Sequence, residues 1–346
     1  DLAVRENGAE VTGSVSLALA NWRLTGQSQV DSQLVIKQTP LEKLLEVAGR
    51  KDLPVQGLLS GAVRISGTVD APQILAQPTL VKAVVSGEPF ERIAGTVRVV
   101  PGKITVQDGV VDHASGRIPF TGEYEHPDKI YERGTVRVRA NVLGLQLNQI
   151  ATLHQQQPDL SGLADVNLSA EAKIEPGRDP AIETLDAQVG LRRLTMRKQE
   201  LGALELTAGT KLGRVTVDAK GNLLGSPIRG NGEWQLSGDA NGLGTLELGT
   251  LTLARLNEVL RNVGVMEREL PLDGRFESEI VFSGALRKPN TLKARVNISQ
   301  VELYPRSEAA ELPAVLEDLK LRNNGPIIAL LDETGMQITQ AQLTGK

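Results

Sequence analysis

The stretch LPVQGLLSGAVRISGTVDAP, Leu53 to Pro72, returns 217 positions later as LPLDGRFESEIVFSGALRKP, Leu270 to Pro289, without a gap. Leu53, Pro54, Gly57, Ser66, Gly67 and Pro72 recur as Leu270, Pro271, Gly274, Ser283, Gly284 and Pro289. Val63 and Ile65 correspond to Ile280 and Phe282, so an apolar side chain persists at every second position. That period of two is the mark of a strand with one covered face. Gly and Pro at fixed offsets are turn punctuation. A looser middle copy runs from Pro158 through Gly162 and the strand around Leu168 to Pro180, with Glu171-Ala172 in place of the Ser-Gly pair. Gly57, Gly162 and Gly274 then mark equivalent positions, 105 and 112 residues apart.

The same alternation continues outward from the repeat. Val97 and Val99 alternate with Arg98, Val136 and Val138 with Arg137 and Arg139, Val215 and Val217 with Thr216 and Asp218, and Val296 and Ile298 with Arg295 and Asn297. Val100-Pro101-Gly102-Lys103, Gln107-Asp108-Gly109 and Glu175-Pro176-Gly177-Arg178 read as turns, which predicts hairpins and a long antiparallel meander. Helical signals are few and precede the Gly-led strands. Thr39-Pro40-Leu41-Glu42 reads as a capping box with proline at the first helical position, followed by Leu41, Leu44, Leu45 and Ala48 on one face and a stop at Gly49. Leu253, Leu256, Leu260 and Val263 form a similar stripe ending at Gly264, and Leu147, Ile150 and Leu153 a weaker one.

These signals predict a mostly β chain, an elongated antiparallel repeat sheet with a short amphipathic helix at the start of each unit. Residues 1–38 read as the end of a preceding repeat, 39–144 as unit one, 145–250 as unit two and 251–346 as an incomplete third. Units of this kind cannot each close a core, so one continuous solenoid-like sheet is the expected arrangement.

Composition narrows the function. The 346 residues are 40% hydrophobic and 23% charged, as in a folded chain, and 35 glycines allow many turns. Aromatics are 3%, with Trp22 and Trp234 the only tryptophans, so the apolar surface is built from Val, Leu, Ile and Ala. A net charge of −4 gives no general reason to bind nucleic acid or an anionic membrane. Arg192, Arg193, Arg197 and Lys198 read as a solvated strand face or turn. Without cysteine there is no disulfide, thiolate nucleophile or Cys-based metal site. No apolar run approaches the ~18 to 20 residues of a membrane span, the nearest being Ile327 to Leu331. The chain opens at Asp1 and stops at Lys346 within a β pattern, which leaves any anchor or targeting signal to sequence outside it.

Chemical motifs are sparse. His113, His126 and His154 are the only histidines and have no partner at a metal-binding spacing. Asp112-His113 reads as a turn pair. No serine sits in a GxSxG elbow, Gly242-Leu243-Gly244 lacks the third glycine of a dinucleotide fingerprint, and no phosphate loop occurs. Asn167-Leu168-Ser169 and Asn297-Ile298-Ser299 fit the glycosylation sequon but lie within predicted strands. No catalytic, metal or cofactor-binding residue is predicted, and no cofactor.

A Gly-initiated strand, a Ser-Gly turn and a closing Pro, preceded by a short Leu-rich helix and repeated at long intervals, resemble the AsmA-like and TamB proteins of bacterial envelopes. ITVQDGVVDHASGRIPFTGEY (Ile104 to Tyr124) and MQITQAQLTG share that character. This superfamily is similar to the bridge-like lipid transfer proteins. The resemblance implies a sheet curled into an open hydrophobic groove, located in the periplasm and anchored to the inner membrane by a segment outside this chain. It implies phospholipid as cargo, moved between inner and outer membranes, or help in inserting outer-membrane β-barrel proteins through a barrel-assembly partner. The lipid-facing candidates are Val63, Ile65, Val97, Val99, Val136, Val138, Val215, Val217, Ile280, Phe282, Val296 and Ile298. The alternation alone also fits a structural or adhesive β-solenoid with a dry core, whose repeat would be much shorter. An enzyme is the reading with least in the sequence behind it.

Overall fold

The computed structural model describes all residues except 1, 7–8, 20, 48–52, 86, 128–129, 179, 198, 212, 237, 263–271, 286–287, 289–290, 307–319, 334 and 346. It is mostly β, 74% strand, with antiparallel pairing that does not close into a barrel and, among the described residues, three short α-helices. The chain divides into two compact units, residues 1–158 with 165–184, and residues 159–164 with 185–346.

The first unit runs β1 (Leu2–Glu6), β2 (Ala9–Leu17), β3 (Val30–Pro40), α1 (Leu41–Val47), β4 (Val55–Gly67), β5 (Pro72–Val85), β6 (Glu88–Val100), β7 (Lys103–His113), β8 (Gly116–Glu125) and β9 (Gly134–Gln146). A 3-10 turn at Leu147–Gln149 leads into α2 (Ala151–Gln156) and then β10 (Leu160–Ile174), whose residues 160–164 belong to the second unit. From β1 to β9 each strand pairs antiparallel with the next. The second unit holds most of β11 (Ala181–Met196), then β12 (Gln199–Lys211), β13 (Arg214–Leu223), β14 (Ser226–Gln235), β15 (Asn241–Thr252), α3 (Leu253–Asn262), β16 (Leu272–Ala285) and β17 (Lys293–Pro305). β11 to β17 form another meander. β17 then pairs with both β18 (Leu321–Asn323) and β19 (Ile327–Asp332). β20 (Gly335–Gln340) follows β19, and β21 (Leu343–Gly345) pairs with β18.

Element order repeats along the chain. Among the described residues each helix is followed by six strands: α1 by β4 to β9, α2 by β10 to β15, and α3 by β16 to β21. Gly57, Gly162 and Gly274 are each the third residue of the first strand in their set. Their φ angles are 147°, 151° and 158°. A side chain at this φ strikes its own backbone, so only glycine is at ease there. The neighbouring strand tightens the requirement. A Cβ on Gly57 would sit 2.9 Å from Leu80 Cδ1, and one on Gly162 3.1 Å from Leu194 Cδ2. The sequence match at these glycines therefore has a backbone cause.

Two local expectations are corrected. Thr39 and Pro40 are not helical, because they pair with Leu59 and Leu58 at the end of β3. The Thr39 hydroxyl donates to the Lys37 carbonyl instead of capping α1, which starts at Leu41. Gln107-Asp108-Gly109 is not a turn either. Asp108 takes a left-handed φ of 49° and makes a β-bulge, and the strand continues to His113. The other two predicted turns are present, with Gly102 at φ 76° and Gly177 at φ 68°. Arg192 and Arg193 are exposed on β11, and exposed Arg197 pairs with Asp159 at 2.8 Å. Ala48, Gly49, Lys198, Val263 and Gly264 lie outside the described residues.

Most of the sealed apolar residues lie toward the strand ends that carry the helices, with Trp234, Ala285 and Ala329 sealed away from them. In the first unit α1 packs on β3 and β4, α2 packs on β6, and Leu80, Ala83, Val142, Leu145 and Leu147 are buried. In the second unit α3 packs on β15 and β16, and Leu194, Ile228, Leu251 and Val301 are buried.

Candidate functional site: the aliphatic face

Directly opposed residues of an antiparallel pair share one face of the sheet, so the registers can be read across strands as rows. In the first unit one row is Leu34, Val63, Ala76, Val97, Val106, Gly122 and Val138. Beside it runs Ser32, Ile65, Ile74, Val99, Ile104, Tyr124 and Val136. Both rows cross seven strands. They bring together six of the predicted positions and add Leu34, Ile74, Ile104, Val106 and Tyr124; the same alternation in KITVQ would have located Ile104 and Val106, whereas Leu34 and Ile74 sit in continuous apolar runs whose face only the register decides.

The second unit repeats the arrangement. Ala208, Val217, Gly232, Gly244, Phe282, Ala294, Leu331 and Met336 form one row. Leu206, Ala219, Gly230, Leu246, Ile280, Val296, Ala329 and Ile338 form the next. Val215 opposes Trp234, and Ile298 opposes Ser278 and Ile327, on the same face. All twelve predicted positions are half-buried, with none among the sealed core residues and none among the large exposed ones.

Aromatic rings on this face lie flat over cross-strand glycines. A Cβ on Gly134 would fall 2.7 Å from Tyr124 Cε2, one on Gly109 2.8 Å from Phe120 Cζ, and one on Gly244 2.6 Å from Phe282 Cζ. The Trp234 indole covers both Gly232 and Gly242, and stacks on Phe282 with centroids 6.0 Å apart at 28°. Glycine supplies the space that lets a large ring lie down. The pattern is part of the repeat: Lys103-Ile104-Thr105-Val106 and Gly122-Glu123-Tyr124 in the first unit correspond to Arg214-Val215-Thr216-Val217 and Gly232-Glu233-Trp234 in the second. Lys103 pairs with Glu123 at 2.8 Å, and Arg214 pairs with Glu233 in the same way.

The opposite face is wet. Its first-unit row reads Gln33, Arg64, Leu75, Arg98, Thr105, Glu123 and Arg137. Arg137 binds Glu123 at 3.0 Å, Glu125 at 2.9 Å and Glu171 at 2.9 Å. The Glu125 and Glu171 carboxylates raise the Arg137 guanidinium above its ordinary value, and Arg137 lowers Glu125 in return. In the second unit Arg275 at 2.7 Å similarly lowers Glu302. Exposed pairs of this kind add little stability singly. They keep that face hydrated.

One buried polar cluster stands at the helix end of the first unit. Glu88, first in β6, accepts the N–H groups of Ala151 at 2.8 Å and Thr152 at 3.0 Å, and so ties down the start of α2. His113 Nε2 lies 3.0 Å from the same carboxylate, and Nδ1 2.6 Å from Ser115 Oγ. The Ser115 N–H donates to Nδ1, so the hydrogen on Nε2 faces Glu88. Burial alone would push Glu88 up, but the Ala151 and Thr152 N–H groups, with His113, hold its carboxyl below the usual range. Serine, histidine and glutamate are the residue types of a hydrolytic triad, but the serine is on Nδ1 and the carboxylate on Nε2, the reverse of a triad, and Ser115 is only 2% exposed with its own N–H on the imidazole. The cluster is a hydrogen-bonded pin. Asp112, predicted to form a turn pair with His113, instead bonds Arg92 at 2.7 Å in the strand.

The remaining histidines stand apart. His126 lies between Tyr124 and Tyr131 with its Nδ1 donating to the Pro127 carbonyl, and His154 is in the last turn of α2. Among the described residues no three His, Asp or Glu side chains converge as metal ligands, and no helix is long and apolar enough to cross a membrane. Comparison with protein-family models, curated proteins and solved structures finds no match.

Proposed function

We propose that the aliphatic faces of the two units carry phospholipid acyl chains, as a segment of a conduit between the inner and outer membranes of a bacterial envelope. The observation that carries the reading is the half-buried state of all twelve candidate positions. Residues of a dry core would be sealed, as Leu80 and Leu194 are. A face of Val and Ile that remains partly open offers a surface to an apolar guest. The need is large: at ~0.8 kcal/mol per methylene, exposing a lipid with about 30 of them to water costs on the order of 20 kcal/mol. Rows running from strand to strand lower that cost at every step, and the charged face keeps the outside in water. No side chain has to form or break a bond. The resemblance to AsmA-like and TamB proteins supports the periplasm as the site of action, an inner-membrane anchor outside residues 1–346, and an open groove as the working shape.

Lipid mass spectrometry on the gently purified chain tests this directly. Phospholipid is expected to co-purify, and Val138→Asp, which puts a carboxylate at the β9 end of a first-unit row, is expected to remove most of the lipid from that unit without unfolding it. A native preparation free of lipid, or a folded Val138→Asp protein with unchanged lipid content, would falsify the proposal.

A further inference from the structure

We infer that the tip of the β2–β3 hairpin, with Leu19, Trp22 and Leu24 exposed on it, is a membrane-docking element that seats in the interfacial layer of a phospholipid bilayer. The inference rests on the lipid-carrying reading and extends it to where the aliphatic face meets a membrane.

The tip is held from below. Ala18 N–H donates to the Gln29 carbonyl at 2.9 Å, and Thr25 and Ser28 close a turn through reciprocal bonds at 3.0 Å. The next hairpin braces it, with Asp70 N–H on the Gly26 carbonyl at 2.9 Å and Val69 N–H on the Ser28 carbonyl at 3.1 Å. Beyond this base the side chains stand clear. Trp22 is 92% exposed, Leu24 57% and Leu19 47%. Trp22 and Asn21 hold left-handed φ angles of 62° and 52°, a conformation bulky side chains rarely adopt. The chain's other tryptophan is 6% exposed. A braced turn that lifts an indole out of the fold in a strained backbone is a presentation, and its order is already in place before anything binds.

The tip is continuous with the aliphatic face. Leu17 opposes Val30 and Val15 opposes Ser32, placing both on the side of the rows. They are 46% and 53% exposed, well above the half-buried positions further along. In the first unit the apolar face is thus most open where it runs into the tip.

The chemistry favours a bilayer. Residues 17–26 read LALANWRLTG, with one cation, Arg23, and no acid. A bilayer accepts leucines and an indole without a matching pocket. Tryptophan prefers the headgroup level, where its ring is half apolar and its N–H is hydrated. A lone arginine beside it meets lipid phosphate.

Two tryptophans make the test direct. In the full chain, Trp234→Phe leaves Trp22 as the only reporter, and Trp22→Phe leaves Trp234 on the aliphatic face. Each is mixed with vesicles of phosphatidylethanolamine and phosphatidylglycerol, with and without brominated acyl chains. Trp22 emission is expected to move to the blue and to be quenched by the brominated lipid. Trp22→Ser with Leu24→Ser is expected to cut vesicle co-sedimentation more than about tenfold, with circular dichroism unchanged. Should Trp234→Phe fold poorly, the wild-type signal minus that of Trp22→Phe gives the same readout. Unchanged Trp22 emission, or a folded double variant that still sediments with vesicles, overturns the docking element. Quenching of Trp234 in that same experiment would leave the lipid-carrying face standing. Quenching of Trp22 without Trp234 supports docking and counts against the face.

Discussion

Replacing Glu88 by glutamine isolates the pin that holds α2 to the sheet. The carboxylate accepts three hydrogen bonds, from Ala151, Thr152 and His113, at 2.8, 3.0 and 3.0 Å. Glutamine keeps one acceptor oxygen and, with that oxygen toward Ala151 and His113, turns its amide NH2 toward the Thr152 N–H, itself a donor. A hydrogen bond to a charged group contributes ~1.5–3 kcal/mol, and an unpaired buried N–H costs ~1–3 kcal/mol. Glu88→Gln should therefore weaken docking of α2 by about 2–4 kcal/mol. A helix of six residues has no stability of its own to draw on. Protection from hydrogen exchange at the His154 and Gln157 amides, which close α2 onto Ile150 and Leu153, should fall roughly 30-fold or more, since ~1.4 kcal/mol is a factor of ten. The pH dependence has a fixed sign. Folding lowers the Glu88 pKa, so its contribution is complete above the ordinary carboxylate value and fades as pH falls through the lower folded one. The glutamine variant should lose that slope. Equal α2 protection in the two proteins at neutral pH, or an acid slope that survives the substitution, would refute the reasoning.

Other changes probe the sheet itself. Gly232→Ala places a methyl group on the Trp234 ring. It should destabilise the second unit by ~1–3 kcal/mol and, in a Trp22→Phe background, shift Trp234 emission to the red; unchanged emission would show the ring is not seated there. Gly57→Ala puts a side chain at φ 147°, which should cost of order 1–3 kcal/mol from strain alone, read as an earlier urea midpoint for the first unit. Arg137→Met dissolves an exposed ion-pair network. Its effect on the urea midpoint should be smaller than that of Glu88→Gln and should vanish at high salt, where exposed pairs are screened.

Much of this could be read in the sequence because a strand with one covered face has no freedom in its side-chain period. Val136 and Val138 against Arg137 and Arg139 settle which side is apolar before any pairing is known. Gly57, Gly162 and Gly274 were legible for a second reason: their backbone excludes every other residue, so the identity survives where the aliphatics drift. What failed was local chemistry decided at a distance. Thr39-Pro40 has the composition of a helix cap, but pairing with Leu58 and Leu59 outbids it. Gln107-Asp108-Gly109 has the composition of a turn, yet the partner strand β8 carries on past it and the extra residue is absorbed as a bulge. Glu88 and Ala151 are 63 residues apart, and no spacing rule connects them. The flat rings over glycines were hidden likewise, since Tyr124 and Gly134, or Phe282 and Gly244, become neighbours only once the register is fixed.

Those flat rings also bear on how fast a guest could travel. A side chain standing upright on a sheet is a bump, and a row of bumps with gaps between them makes a corrugated track on which an acyl chain settles and must be lifted out again. Glycine beneath each aromatic lowers the tallest groups on the face toward the level of the valines around them. On the proposed lipid-carrying reading the track would be flattened at the sites where it is otherwise roughest, and the barrier between successive resting places would stay shallow. Friction along the face, as much as affinity for it, is then a property fixed by the pairing of two residues on adjacent strands.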